Sequence, residues 1–201
     1  MVSSKLPCSA ILCVLNEIDG IQKSVTNLSS LGLDEIVVVD GGSEDGTWEF
    51  LEETRGISIL QIHHEGLLRQ RIAGIRKARN SRVLLIDVDD SVSRESVQKM
   101  LSLLDEREDL DGLQFMLSTE ARNFWEEGWG AYFNVITTPG VSLKLLGRPS
   151  IAYKKDFLDF NPPEGIFGED TWIHLQDSLK ARSYEVGPGF SVRQCPDNWQ
   201  Q

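Results

Sequence analysis

Residues 35–53 read EIVVVDGGSEDGTWEFLEE, and this stretch decides the fold. It begins with a nearly continuous apolar run, Glu35–Val39, which is typical of a strand buried on both faces. Asp40 and two glycines follow, and glycine permits the sharp turn that must come next. Thr47–Arg55 then has the amphipathic pattern of a helix. A buried strand that leads directly into a helix is the repeating unit of a parallel α/β sheet.

The same alternation extends over the first half of the chain. Further apolar runs predict strands at Cys8–Leu15, Ile57–Ile62 and Arg82–Ile86. Amphipathic stretches predict helices at Ile18–Leu31, Leu67–Arg79 and Ser93–Asp105. Strands and helices that alternate with short connections indicate an α/β fold with a mostly parallel, doubly wound central sheet and helices on both faces.

After Asp111 the pattern is less regular. We expect strands at Leu113–Ser118 and Tyr184–Val192, the second broken by Gly187-Pro188-Gly189, and a helix at Asp170–Ala181. Val141–Leu146 and Ser150–Lys154 are expected to pair with each other around Gly147-Arg148-Pro149. The aromatic residues of Trp125–Phe133 offer either a stacking surface for a ligand or ordinary core.

Composition and charge exclude several classes of protein. The 201 residues carry 20 Lys+Arg and 31 Asp+Glu, a net charge of −11, whereas a general nucleic-acid binder presents a basic surface. No apolar run approaches the ~18 residues of a membrane-spanning helix, so we expect no transmembrane segment. The three cysteines form no CxxC pair, which favours reduced thiols in a cytoplasmic protein. Peripheral association with a membrane stays open.

Polar residues follow three of the predicted strands at the point where each strand ends. Asn16-Glu17 follows the first, Asp40 ends the second, and Asp87-Val88-Asp89 follows Arg82–Ile86. Because ligands of open parallel sheets bind at the carboxyl ends of the strands, we expect these side chains to share one site. Ser43 and Asp45 are expected to cap the next helix instead. The chain has neither G-x-G-x-x-G nor a P-loop sequence.

Asp87 and Asp89 have the spacing of a cation site. Two carboxylates that project from the end of one strand can hold a hard divalent ion, Mg²⁺ or Mn²⁺, which in turn binds phosphate oxygens. The spacing alone is slightly more typical of a solvated acidic turn that caps the Ser93 helix. Arg71 lies in a basic stretch and is expected to point toward these acidic residues, where a diphosphate would accept its hydrogen bonds.

The blocks CSAILCVLNEIDGI, EIVVVDGGSEDGTWEFLEE, RVLLIDVDDSVS and GIFGEDTWIHL, in this order, resemble the family 2 glycosyltransferases. The resemblance covers residues 8–175. It implies the GT-A fold, a Rossmann-like three-layer sandwich, as a single domain over residues 1–201. Residues 1–111 would form the nucleotide-binding half and residues 112–201 a less regular acceptor-binding half. The family's Pro-x-Tyr is replaced here by Cys13-Val14-Leu15, a departure that affects packing more than chemistry.

The resemblance also implies an activity: transfer of a sugar, with inversion, from a nucleoside diphosphate sugar to an acceptor hydroxyl. UDP is the donor nucleotide expected from the family. The acceptor is a saccharide, a lipid-linked molecule or a small molecule. The QxxRW sequence of processive polysaccharide synthases is absent, which favours the addition of a single sugar.

Site residues follow from the matching positions on the donor side. Asn16 and Glu17 match the family's pair near the nucleoside, and Asp40 matches the aspartate that contacts the base or ribose. Arg71 matches an arginine near the nucleotide. Asp87 corresponds to the first carboxylate of the DXD motif, on the ribose side.

The remaining matches concern the metal and the transfer step. Asp89 corresponds to the ligand of the Mn²⁺ or Mg²⁺ that bridges to the diphosphate. Asp170 matches the catalytic base of inverting members, because a carboxylate can take the proton of the attacking hydroxyl. Glu169 is expected to bind substrate, and His174 is either a further metal ligand or an ordinary packed or surface histidine.

Two alternatives remain. A nucleotidyltransferase of related fold would carry a Gly-rich basic loop after the first strand, where this chain has the acidic Asn16–Asp19. A non-catalytic nucleotide-sugar binding module would keep the binding residues without turnover.

Overall fold

The computed structural model describes residues 4–63, 65–119, 127, 138–143, 149–161 and 182–193. Within these ranges the strands are β1 (Leu6–Val14), β2 (Leu33–Asp40), β3 (Ser58–Gln61), β4 (Arg82–Ile86), β5 (Asp90–Val92), β6 (Gly112–Thr119), β7 (Ser142–Leu143), β8 (Ser150–Tyr153) and β9 (Tyr184–Arg193). The α-helices are α1 (Ile18–Ser30), α2 (Thr47–Glu53), α3 (Leu67–Lys77) and α4 (Arg94–Glu106), and a 3₁₀ helix spans Lys154–Phe157.

One mixed sheet contains all of these strands, in the order β3-β2-β1-β4-β8-β6-β9-β5, with β7 paired to β9. The first four strands along the chain are mutually parallel. Strand β8 runs antiparallel to β4 and β6, and β9 is parallel to β6 and antiparallel to β5. The predicted α/β fold with a mostly parallel first half is therefore confirmed.

The core consists of two apolar layers, one on each face of the sheet. Side chains alternate along β1, so that Leu12 and Val14 join the layer formed with α1 and α4. Ile11 and Cys13 join the opposite layer, formed with α3 and the 3₁₀ helix. At Gly74 a Cβ atom would lie 2.7 Å from the Ile11 methyl carbon, so only glycine lets α3 approach the sheet so closely.

Two expectations for the second half are wrong. Ser142–Leu143 pairs with β9, whereas Ser150–Tyr153 lies between β4 and β6, so the two segments do not pair with each other. Strand β9 is not interrupted at Gly187-Pro188-Gly189 but continues through a register shift against β6. The glycines let β9 lie against α4, because a Cβ at Gly189 would be 2.7 Å from the Cγ of Met100.

The edge strand β5 was not predicted. Residues 87–93 read as a turn followed by a helix cap, and Ser93 does cap α4 by accepting a hydrogen bond from the Ser96 amide. Asp90–Val92 is nevertheless a short strand, because β9 pairs with it. Among the described residues, no helix is both long and apolar enough to cross a membrane.

Candidate functional site

A cleft of about 1140 Å³ opens at the carboxyl ends of β1, β2 and β4. Asn16 and Glu17 line it from the loop after β1, Gly41 from the loop after β2, and Asp87 and Asp89 from the turn after β4. The structure thus brings together residues that the strand-end argument expected to share a site. Asp40 and Arg71 are buried behind this cleft rather than lining it.

The loops after β1 and β2 are joined by hydrogen bonds. Asn16 has a left-handed backbone with φ of +55°, which asparagine tolerates better than most residues. Its backbone amide donates to the Ser43 hydroxyl over 2.8 Å, and its side-chain oxygen accepts from the Glu44 backbone amide over 2.9 Å. The Glu17 amide donates to the Thr47 hydroxyl. The two loops therefore form one wall of the cleft.

Asp45 connects the beginnings of two helices. One carboxylate oxygen accepts from the Ile18 amide at the start of α1, and the other accepts from the amide and hydroxyl of Thr47 at the start of α2. The hydrogen bond from the Thr47 hydroxyl is the main reason why the pKa of Asp45 is lowered. Gly46 occupies the N-cap position of α2, and Asp45 accepts from the first helical amide from the position before it. The capping role expected of Ser43 is wrong, because Ser43 contacts Asp40 and Asn16 instead.

Asp40 organises the loop after β2 from within. Its Oδ2 accepts from the amides of Gly42 and Ser43 and from the Gln61 side chain, and its Oδ1 accepts from the Ser43 hydroxyl. Burial tends to raise the pKa of this fully buried carboxyl group, but the hydrogen bonds outweigh burial and lower it. The structure places Asp40 beneath the loop after β2, as a support for it.

Arg71 projects from α3 and is only 2 % exposed. Its guanidinium donates a hydrogen bond of 2.8 Å to Oδ1 of Asp87. A buried arginine of this kind fixes the orientation of its carboxylate partner, because the planar guanidinium has directional donors. Arg71 therefore lies at the acidic rim, as expected from its position in the basic stretch.

Three carboxylates meet after β4. One oxygen from each of Asp87, Asp89 and Asp90 lies within 4.8 Å of the others. Burial raises the pKa of Asp89, Arg193 opposes this effect, and Asp87 adds to it. Burial likewise raises the pKa of Asp90 to about 6, even though Arg193 lowers it. The pKa of Glu17 is also raised, mainly by burial and to a smaller extent by the nearby negative charges of Asp89 and Asp45.

Arg193 is a part of this cluster that sequence reasoning missed. It ends β9, directly opposite Asp90 in β5. Its Nε and one terminal nitrogen donate to the two oxygens of Asp90 over 2.9 and 2.7 Å. It also lies 3.6 Å from an oxygen of Asp87 and 3.7 Å from one of Asp89. No local pattern signals this contact, because Arg193 and Asp90 are 103 residues apart.

The donor set fits a hard divalent cation. Carboxylate oxygens are the ligands that Mg²⁺ and Mn²⁺ prefer. Asp87 and Asp89 are partly exposed and line the cleft, with 31 % and 42 % of their side-chain surface accessible, so an ion could reach them. Asp90 has no exposed side-chain surface and is held by Arg193. Asp89 and Asp87, which also accepts the hydrogen bond from Arg71, are thus the two carboxylates of the cluster that line the cleft.

Several predicted residues lie outside the described residues. These are Asp170, Glu169, His174 and, except for Glu127, the aromatic segment 125–133.

The chain was compared with known proteins. Residues 9–165 match the model of a family described as "Glycosyl transferase family 2". A dolichol-phosphate mannosyltransferase of Mycosarcoma maydis is 26 % identical over an alignment of 209 residues, gaps included. The alignment covers 95 % of this chain and 66 % of the relative. The chain thus spans just under two thirds of that protein.

Solved structures of S. aureus TarS 1–349 have the same fold. The complex with UDP-GlcNAc gives a TM-score of 0.74 at 18 % identity, covering 96 % of this chain and 60 % of TarS 1–349. The complex with UDP gives 0.71 at 18 % identity, with 94 % and 61 % covered. The fold is therefore that of the GT-A glycosyltransferases, and the family match over most of the chain shows that this protein belongs to glycosyl transferase family 2.

Proposed function

We propose that the chain transfers a single sugar, with inversion, from a nucleoside diphosphate sugar to an acceptor hydroxyl. The observation that carries this proposal is the acidic turn Asp87–Asp89, which opens into a large cleft between the two joined loops and α3. A nucleotidyltransferase of the same fold would need a basic loop after β1, and Asn16–Asp19 is acidic.

The donor binds along the carboxyl ends of the strands of the nucleotide-binding half, residues 1–111. Asn16 and Glu17 border the nucleoside, and Asp40 supports the loop that contacts the base or ribose. Arg71 and Asp87 act on the ribose and phosphate side. UDP is the proposed nucleotide, and the TarS structures solved with UDP-GlcNAc and with UDP support it.

Asp89, assisted by Asp87, would hold Mn²⁺ or Mg²⁺. When bound, such an ion neutralises the negative charge that grows on the departing diphosphate. Arg71 contributes positive charge on the same side of the cleft, from a position that burial makes rigid.

Transfer then requires a base. Asp170 takes the proton from the acceptor hydroxyl as its oxygen forms a bond to the anomeric carbon, a contribution of roughly 10²–10⁴ in rate. The bond between the anomeric carbon and the diphosphate oxygen breaks, and the nucleoside diphosphate leaves with the electron pair. Glu169 binds substrate beside this base.

The acceptor belongs to residues 112–201 in this proposal. A saccharide, a lipid-linked molecule and a small molecule are all compatible with the fold. The mannosyltransferase relative is named for dolichol phosphate, so a lipid-linked molecule is the first acceptor to assay. We place the protein in the cytoplasm, where nucleotide sugars are available, with peripheral attachment to a membrane compatible with a lipid acceptor.

Thermal unfolding with UDP, with and without Mn²⁺, tests donor binding. We expect UDP to stabilise the wild-type protein only weakly without Mn²⁺ and strongly with it. Asp89→Ala should abolish the Mn²⁺-dependent part, whereas Glu52→Ala, which removes an exposed carboxylate outside the cleft, should not. Unchanged Mn²⁺-linked stabilisation in Asp89→Ala would contradict the assignment.

Transfer is tested separately with radiolabelled nucleotide sugars and a panel of acceptors. Asp170→Asn should bind donor normally and transfer nothing. An active Asp170→Asn would place the base elsewhere, and Glu169→Gln would be assayed next. Donor binding by the wild type without transfer or hydrolysis would favour a binding module.

A further inference from the structure

Arg193 faces all three carboxylates of the acidic cluster, but it treats them differently. It forms a bidentate pair with Asp90 through two hydrogen bonds of 2.9 and 2.7 Å. Its distances of 3.6 Å to Asp87 and 3.7 Å to Asp89 are too long for hydrogen bonds, although both remain strong electrostatic contacts. Arg193 therefore binds both oxygens of one carboxylate and stays at a longer distance from the other two, of which Asp87 also accepts a hydrogen bond from Arg71.

Asp90 is held away from the cleft. Its side chain is completely buried, and both of its oxygens accept hydrogen bonds from Arg193. The register of β5 and β9 places the two residues directly opposite each other, so the sheet itself supports the fork. Asp87 and Asp89 line the cleft, whereas Asp90 does not.

We propose that Arg193 is a positioning residue that withholds Asp90 from the divalent cation and so leaves a two-carboxylate site with weak affinity for the free ion. This inference rests on the metal dependence in the proposed function. Its consequence concerns the order of binding. An ion with only two protein carboxylates needs further oxygen ligands, and the diphosphate of the donor supplies them, so ion and donor bind as a unit.

The physical reason is the number and sign of nearby charges. Affinity for hard cations rises with the number of carboxylate ligands. Arg193 removes one carboxylate and adds a positive charge within 4 Å of the remaining two. Replacing it with a neutral residue would release Asp90 and remove that repulsion together.

The experiment measures the binding of Mn²⁺ alone to the full chain at pH 8. Calorimetry gives the affinity, and the electron paramagnetic resonance signal of free Mn²⁺, which is lost on binding, gives an independent value. We expect Arg193→Gln to bind Mn²⁺ about tenfold more tightly than wild type. Asp90→Asn, which leaves Arg193 facing the other two carboxylates, should bind about threefold more weakly. The double variant, with a neutral pair of similar shape, should return to within about threefold of wild type.

The double variant separates this inference from the simpler idea that Asp90 is an ion ligand. If Asp90 is a ligand in the wild type, the double variant loses that ligand and binds Mn²⁺ about tenfold more weakly than wild type, and the inference is overturned. If Arg193→Gln fails to fold, the comparison of the double variant with wild type still decides. Arg107→Gln is the matched control, because Arg107 forms a bidentate pair with Asp109 and contacts Glu185 outside the cluster. The Mn²⁺ affinity of this variant should equal that of wild type.

The failure of the inference and that of the proposed function are distinguishable. Mn²⁺ affinity that is identical in wild type and Arg193→Gln would overturn only the role of Arg193. No Mn²⁺ binding by any variant, with or without UDP, would overturn the metal dependence as well.

Discussion

Replacing Asp40 tests whether the loop after β2, on the proposed nucleoside side of the cleft, depends on a buried support. Four donors converge on this carboxylate: the amides of Gly42 and Ser43, the Ser43 hydroxyl and the Gln61 side chain. Asp40→Ala leaves all of them without their acceptor. An unsatisfied buried donor costs about 1–3 kcal/mol, and because this loop is only partly buried, the lower end applies to each of the four donors, for a total of about 4 kcal/mol. Asp40→Asn keeps one oxygen and should cost about 1 kcal/mol.

The effect depends on pH with a definite sign. The folded-state pKa of Asp40 is lowered below the ordinary value of 3.8, so the folded protein favours the ionised form. Its contribution to the free energy of unfolding is complete above that ordinary value and is lost as the pH falls through the lowered pKa. The stability difference between wild type and Asp40→Asn should therefore be constant near neutral pH and shrink below about pH 4.

Urea unfolding followed by circular dichroism measures the stability, and calorimetry with UDP and Mn²⁺ measures the affinity. Because Asp40 acts through the loop, we expect stability and UDP affinity to fall together, with Ala more severe than Asn. Asp34→Asn, in the same strand, is the control. Wild-type stability in Asp40→Asn combined with a large loss of UDP affinity would refute this reasoning and make Asp40 a direct ligand contact.

Three further variants test the frame of the site. Gly74→Val should destabilise the protein by about 1–3 kcal/mol in urea unfolding, because the added side chain would overlap the two β-branched residues beneath it; unchanged stability would mean that α3 is free to shift. Asn16→Ala should cost about 1–2 kcal/mol through the left-handed backbone and the lost bond from Glu44, and Asn16→Gly should recover the backbone part. Arg71→Met should cost about 1–3 kcal/mol and weaken UDP binding, because the partly buried Asp87 loses the hydrogen bond from Arg71; equal affinity in calorimetry would exclude Arg71 from the nucleotide site.

The parallel half of the fold is predictable because its signals are local. Arg82–Ile86 has the bounds that its apolar run predicts, and the other three parallel strands differ from prediction by one to two residues at their ends. A strand buried on both faces needs only apolar side chains, and its parallel partner must follow after a helix. The same logic places Asn16, Glu17 and Asp87 at one edge without knowledge of their contacts.

The second half of the fold is not predictable in this way, because strand partners there are chosen across long distances in sequence. Ser150–Tyr153 has the composition of a strand, but nothing in it selects β4 and β6 over the neighbouring Ser142–Leu143. Glycines are ambiguous for the same reason. Gly187 and Gly189 usually indicate a break, yet here they allow β9 to pack closely against Met100 of α4.

The acidic turn shows how a long-range pair completes a local motif. Asp90–Val92 is too short to be a strand on its own, and β9 provides its partner. Because side chains alternate along a strand, a slip of one residue would turn Arg193 away from Asp90. A buried, unpaired carboxylate is costly, so the fork favours this single register. That register fixes the first residue of β5, and with it the turn from which Asp87 and Asp89 face the cleft. The DXD spacing indicates which residues could hold an ion, but the strand pairing decides which carboxylates are left open to it.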